Sequence, residues 1–121
     1  MDNQELLKMK NWVVVGDVLN TEKHAYRILN RLKERGYRAW GVHPRGGVGV
    51  FSSFSELGFV PDVMCLVINP ATGKGFVQEA KRLGIKAAWL QPGADTDEVT
   101  ATCEAVDLPY VKACVLVETR A

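Results

Sequence analysis

Four apolar runs in this chain, each closed by a glycine or a proline, constrain its fold more than any other feature. They are Trp12-Val13-Val14-Val15-Gly16, Ala39-Trp40-Gly41-Val42-His43-Pro44, Val63-Met64-Cys65-Leu66-Val67-Ile68-Asn69-Pro70 and Ala87-Ala88-Trp89-Leu90-Gln91-Pro92-Gly93. Gly16, Pro44, Pro70 and Pro92 fall 28, 26 and 22 positions apart. Each step has room for one strand and one crossover helix. Strands that are apolar almost without interruption belong to parallel sheets covered on both faces. Such sheets bind ligands beyond the carboxyl ends of their strands, so the four run-ends mark the expected site.

A chain of 121 residues is read as one domain, residues 1–121, with 47% hydrophobic and 24% charged residues. Its formal net charge of +1 supplies no global field for nucleic acid or an anionic membrane. The longest apolar stretches are strand-sized, which argues against a transmembrane helix. The start, Met1-Asp2-Asn3-Gln4-Glu5, lacks the basic and apolar segments of a signal peptide. Three cysteines without a Cys-x-x-Cys pair suggest reduced thiols, and a cytoplasmic location is expected.

The spacing predicts a lead-in helix over residues 4–9 and a first strand over 11–15. A helix over 22–35 follows, with Ala25, Ile28, Leu29 and Leu32 on one face, Asn20 or Thr21 as its cap and Gly36 as its stop. A second strand covers 37–42, an irregular glycine-rich turn 45–50 and a short helix 53–57. The third strand spans 62–68. The next helix ends near Leu83, its start weakened by Gly73 and Gly75. A fourth strand covers 85–90. A last helix begins near Asp95 with Asp95 and Glu98 as a capping box, and a fifth strand spans 110–116. The expected architecture is a doubly wound α/β, Rossmann-like three-layer sandwich, with a mainly parallel five-stranded sheet of order 3-2-1-4-5 and a switch point beside the first strand.

The first loop reads Gly16-Asp17-Val18-Leu19-Asn20-Thr21, so only the first glycine of a dinucleotide fingerprint is present. A helix start after Gly16 still offers free amides and a positive dipole end to a pyrophosphate. The second strand ends in Val42-His43-Pro44-Arg45, with no acid for a ribose diol. Arg45 instead suits a phosphate on the ribose, as in coenzyme A or an NADP-like ligand.

Gly16 with its loop, Val42-His43-Pro44-Arg45, Asn69-Pro70 and Trp89-Leu90-Gln91-Pro92-Gly93 together resemble the small single-domain CoA-binding proteins. That family is similar in fold to the CoA-binding domain of the succinyl-CoA synthetase alpha subunit. Tyr26 and Glu34-Arg35-Gly36-Tyr37 match its first crossover, and Cys114 falls at a frequent cysteine. The resemblance implies coenzyme A or an acyl-CoA along the carboxyl edge of the sheet. Gly16, Asp17, Val18, Asn20 and His24 would meet the pyrophosphate. Val42, Pro44 and Arg45 would sit by the adenosine and its 3′-phosphate. Ile68, Asn69 and Pro70 would flank the adenine or ribose, and Gln91, Pro92 and Gly93 would line the way to the pantetheine arm. The family loop commonly reads Gly-Ala-Ser or Gly-Val-Ser, whereas Asp17 and Val18 follow the glycine here.

No serine or cysteine nucleophile accompanies His24 and His43 in a recognisable motif, and no Cys/His grouping has zinc spacing. No catalytic or metal residue is therefore expected. Cys65 and Cys103 read as core, while Cys114 lies near a strand end, where it could form a mixed disulfide with the CoA thiol. The expected function is a non-catalytic binding or regulatory module with a small nucleotide ligand. A homodimer or a protein partner is compatible with the sequence. The alternatives are an NADP- or other nucleotide-dependent small enzyme, and an interaction module that has lost its ligand.

Overall fold

The computed structural model describes residues 1–120. Helix α1 (Asn3–Leu7) leads into strand β1 (Asn11–Gly16), and α2 (His24–Glu34) crosses to β2 (Arg38–Val42). Strand β3 (Val50–Phe51) and a 3₁₀ turn (Phe54–Leu57) precede β4 (Val63–Val67). The chain continues through α3 (Pro70–Leu83), β5 (Ala87–Leu90), α4 (Asp97–Ala105), β6 (Tyr110–Lys112) and α5 (Val115–Glu118).

All neighbouring strands pair parallel, in the order β3-β2-β1-β4-β5-β6. The sheet thus has six strands rather than the expected five. The segment over 62–68, expected third in sequence and at the edge beyond the second strand, is β4 and pairs with β1. The edge place is taken by the two residues of β3, inside the stretch read as an irregular turn and its flank. The change of winding direction still falls beside β1, as the alternation of elements implies.

Alternation along each strand sorts side chains to two cores. Trp12, Val14, Cys65 and Trp89 face α2 and α5, together with Ile28, Leu32 and Val115. Val13, Val15, Met64, Leu66 and Leu90 face α3 and α4, together with Val77, Val99 and Cys103. The indoles of Trp12 and Trp89 pack with ring centres 5.5 Å apart, both fully buried. Burying a large apolar side chain contributes about 1.5–3 kcal/mol, so the central strands anchor the fold.

Helix boundaries depart from the expected ones where caps compete. Helix α2 begins at His24, with Lys23 in the capping position and no side-chain cap. Asn20 does not reach the helix, because its carboxamide accepts from the Glu22 amide at 3.1 Å. Helix α3 starts firmly at Pro70 despite Gly73 and Gly75, because Asn69 Oδ1 accepts from the Thr72 amide at 3.0 Å and proline suits the first turn. Helix α4 is capped by Thr96 rather than Asp95, whose carboxylate accepts from Gly93 N at 3.1 Å instead. Strand β6 stops at Lys112, and the apolar residues expected to extend it form α5, with Cys114 at its capping position.

Candidate functional site

The loops that follow β1, β2, β4 and β5 gather at one edge of the sheet, at the carboxyl ends of the strands. A cleft of about 280 Å³ opens there, lined by Asp17, Lys23, His24, Ala25, His43 and the segment 67–69. A second cleft of about 250 Å³ adjoins it, sharing Val67, Ile68 and Asn69 and closed by Pro92, Gly93 and Ala94. Residues from four separated parts of the sequence therefore converge on one rim.

Close packing makes that rim possible. A Cβ on Gly16 would stand 2.6 Å from the Val67 carbonyl oxygen and 2.9 Å from Ala25 Cβ. Only glycine lets the end of β1, the start of α2 and the end of β4 approach this closely. Val18 turns inward and is almost fully buried, and a Cβ on Gly41 would stand 2.6 Å from its Cγ2. Its side chain fastens the first loop onto β2 instead of lining the cleft.

Two features give the first cleft its charge character. The first turn of α2 has no side-chain acceptor, so its free amides and dipole end face the rim with Lys23 and His24 beside them. Arg45 stands beside the cleft, with one Nη 3.6 Å from a carboxylate oxygen of the cleft-lining Asp17. The Arg45 side chain is 74% exposed and that of Asp17 35%. His43 steadies the loop between them, since its Nδ1 accepts from the Arg45 amide at 3.1 Å and its own amide donates to Phe51 O at 2.9 Å.

The second half of the rim is closed from within. Gln91 is buried. Its Oε1 accepts from Val115 N at 2.6 Å and from Trp89 Nε1 at 3.1 Å, and its Nε2 donates to Cys114 Sγ at 3.5 Å. The expected row Gln91, Pro92 and Gly93 therefore divides, with Pro92 and Gly93 on the cleft surface and the Gln91 carboxamide bound inside the protein. Val42 is likewise fully buried, and Pro44 is exposed beside Arg45. Asn20 and Pro70 flank the clefts without lining them. Ala25, His43, Val67 and Ala94 line the clefts without having been named as ligand contacts from the sequence, and Lys23, inside the loop expected at the pyrophosphate, adds a cation directly before the helix start.

Burial raises the Cys114 thiol, but hydrogen bonds from Gln91 and from the backbone of Val117 and Leu116 outweigh it and hold the thiol below its ordinary range. Burial pushes Cys103 up to about 11 and Cys65 higher still, which makes both inert core residues. No group of three or more His, Cys, Asp or Glu could hold a metal ion among the described residues. No helix there is long and apolar enough to cross a membrane.

A Rossmann-like parallel sheet with its loops gathered at the carboxyl edge is thus the class that the fold defines. The model of the CoA binding domain family matches residues 10–120, and the chain belongs to that family. A solved structure from Thermus thermophilus is 26% identical, with a TM-score of 0.84 over 99% of this chain and 98% of that one. A conserved hypothetical protein from Pyrococcus furiosus is 30% identical, with a TM-score of 0.81 over 91% of this chain and 99% of that one. A protein from Pyrococcus horikoshii, 21% identical with a TM-score of 0.84, shares the fold. No curated protein matches the chain.

Proposed function

We propose that the protein binds coenzyme A or an acyl-CoA along this rim and does no chemistry on it. The observation that carries the reading is the first cleft, where the uncapped start of α2 and Lys23 face the end of β1 while Arg45 stands at the end of β2. A pyrophosphate fits the free amides of α2. The guanidinium of Arg45 fits the extra phosphate on the adenosine ribose, which it can grip with paired donors. Family membership supports the same ligand.

The binding reading is favoured over an enzyme because two of the cleft's polar side chains, Asp17 and His43, already have partners within the protein. Asp17 faces Arg45, and His43 Nδ1 holds the Arg45 amide, so both shape the loop. A base for acid–base chemistry needs a free acceptor within reach of the reacting proton.

Thermal unfolding with CoA, acetyl-CoA, NADP and NAD tests the reading. Ligand at about 100 times its Kd stabilises the fold by roughly 2.7 kcal/mol. CoA and acetyl-CoA are expected to raise Tm. A rise with NADP alone would move the function to a nucleotide-dependent enzyme, and no rise with any of the four would leave an interaction module.

A further inference from the structure

We infer that Asp17 is a built-in counter-ion for Arg45, which a ligand phosphate must displace, and that Asp17 thereby limits how strongly the site prefers a phosphorylated nucleotide. The inference rests on the proposed binding of CoA and adds a selectivity element to it.

Asp17 and Arg45 are 28 positions apart in sequence, yet their side chains meet at 3.6 Å. Asp17 also lines that cleft, so its charge faces the space a ligand would enter. Both side chains keep contact with water, with 74% of Arg45 and 35% of Asp17 exposed. An ion pair so hydrated holds its partners weakly. A phosphate is the stronger partner, because its charge is larger and its oxygens accept the guanidinium fork in a paired arrangement. The His43 contact fixes the backbone from which Arg45 projects, so the exchange needs only a side-chain swing.

The consequence is specific. A nucleotide carrying the extra phosphate must take Arg45 from Asp17. A nucleotide lacking it leaves the pair in place. Asp17 then weakens the first ligand and spares the second. A carboxylate that merely repelled anions would weaken both alike.

Calorimetric titration of CoA and dephospho-CoA into wild type, Asp17→Asn, Arg45→Gln and the double variant separates these cases. Asp17→Asn is expected to tighten CoA roughly two- to fivefold, with a much smaller change for dephospho-CoA. In the Arg45→Gln background the same substitution is expected to leave CoA affinity unchanged. Equal tightening of both ligands, or a gain that persists without Arg45, overturns the exchange. So does a wild type that binds CoA while Asp17→Asn binds it no better. A wild type that binds neither ligand overturns the proposed function, and the exchange with it. Asp17→Ser repeats the test without a carboxamide that could hold Arg45 in its turn, and the melting curve of each variant confirms folding.

Discussion

The two halves of the carboxyl rim are built on opposite principles. Beside β1 and β2, polar groups are left to solvent: the first turn of α2 lacks a side-chain cap, and Lys23, His24 and the Arg45–Asp17 pair border an open cleft. Beside β5 and β6, polar groups satisfy one another. Gln91 alone serves Val115 N, the Trp89 indole and the Cys114 thiol, and the Trp89 indole also donates to Ala113 O at 2.9 Å. One half can exchange partners with a ligand at little cost, whereas the other must break buried hydrogen bonds to do so. The difference teaches that a polar residue after a strand is as readily a structural plug as a ligand contact.

The sharpest way to break this contrast is at Gly16. Gly16→Ala puts a methyl group against the Val67 carbonyl and Ala25, neither of which is the end of a flexible side chain. Urea unfolding is expected to show a loss toward the upper part of about 1–3 kcal/mol. A near-neutral result would mean that close approach does not hold the open half together.

Gln91→Ala probes the closed half. It strips the buried Val115 amide of its acceptor, and a loss of about 1–3 kcal/mol is expected. The same variant tests the thiol. Donors to sulfur favour the thiolate, so removing the Gln91 donor moves the Cys114 titration upward. Iodoacetamide labelling of Cys114 at neutral pH is therefore expected to slow in the Gln91→Ala protein, and its pH midpoint to rise. An unchanged midpoint would show that the amides of α5 suffice.

Asn69→Ala, which removes the cap of α3 where the two clefts meet, is expected to lower stability by about 1 kcal/mol in the same unfolding measurement. Arg45→Gln is the smallest in stability, within about 0.5 kcal/mol, because the side chain is largely exposed. Its effect belongs to ligand binding, and a large loss of stability would contradict the open character of that half.

Much of the fold was legible because buried parallel strands carry their own signature. The runs around Val13–Val15, Met64–Leu66 and Ala87–Leu90 are apolar throughout, and each ends where a loop turns to the rim. Strand β3 was illegible because Val50 and Phe51 follow three glycines, and local composition there reads as a turn. Its pairing comes from the Gly41 and Val42 backbones of β2. That short strand takes the edge place beside β2 that the sequence pattern assigns to the 62–68 segment. The candidate rim was readable as a set of loops, but the directions of its side chains were not. Nothing in Trp89-Leu90-Gln91 announces that an amide from α5 needs the Gln91 oxygen. Nothing near Asp17 announces a partner 28 positions on. The cap of α2 failed for a similar reason, since Asn20 found a nearer amide in its own turn.

The margins of the sheet are its shortest strands, two residues in β3 and three in β6. An extended segment from a neighbouring copy would find only a brief ladder to join at either side, and the exposed Lys112 adds a charge at one of them. Crowded solutions of the folded molecule should therefore resist strand-to-strand aggregation, and any fibrous product would have to grow from chains that had already opened.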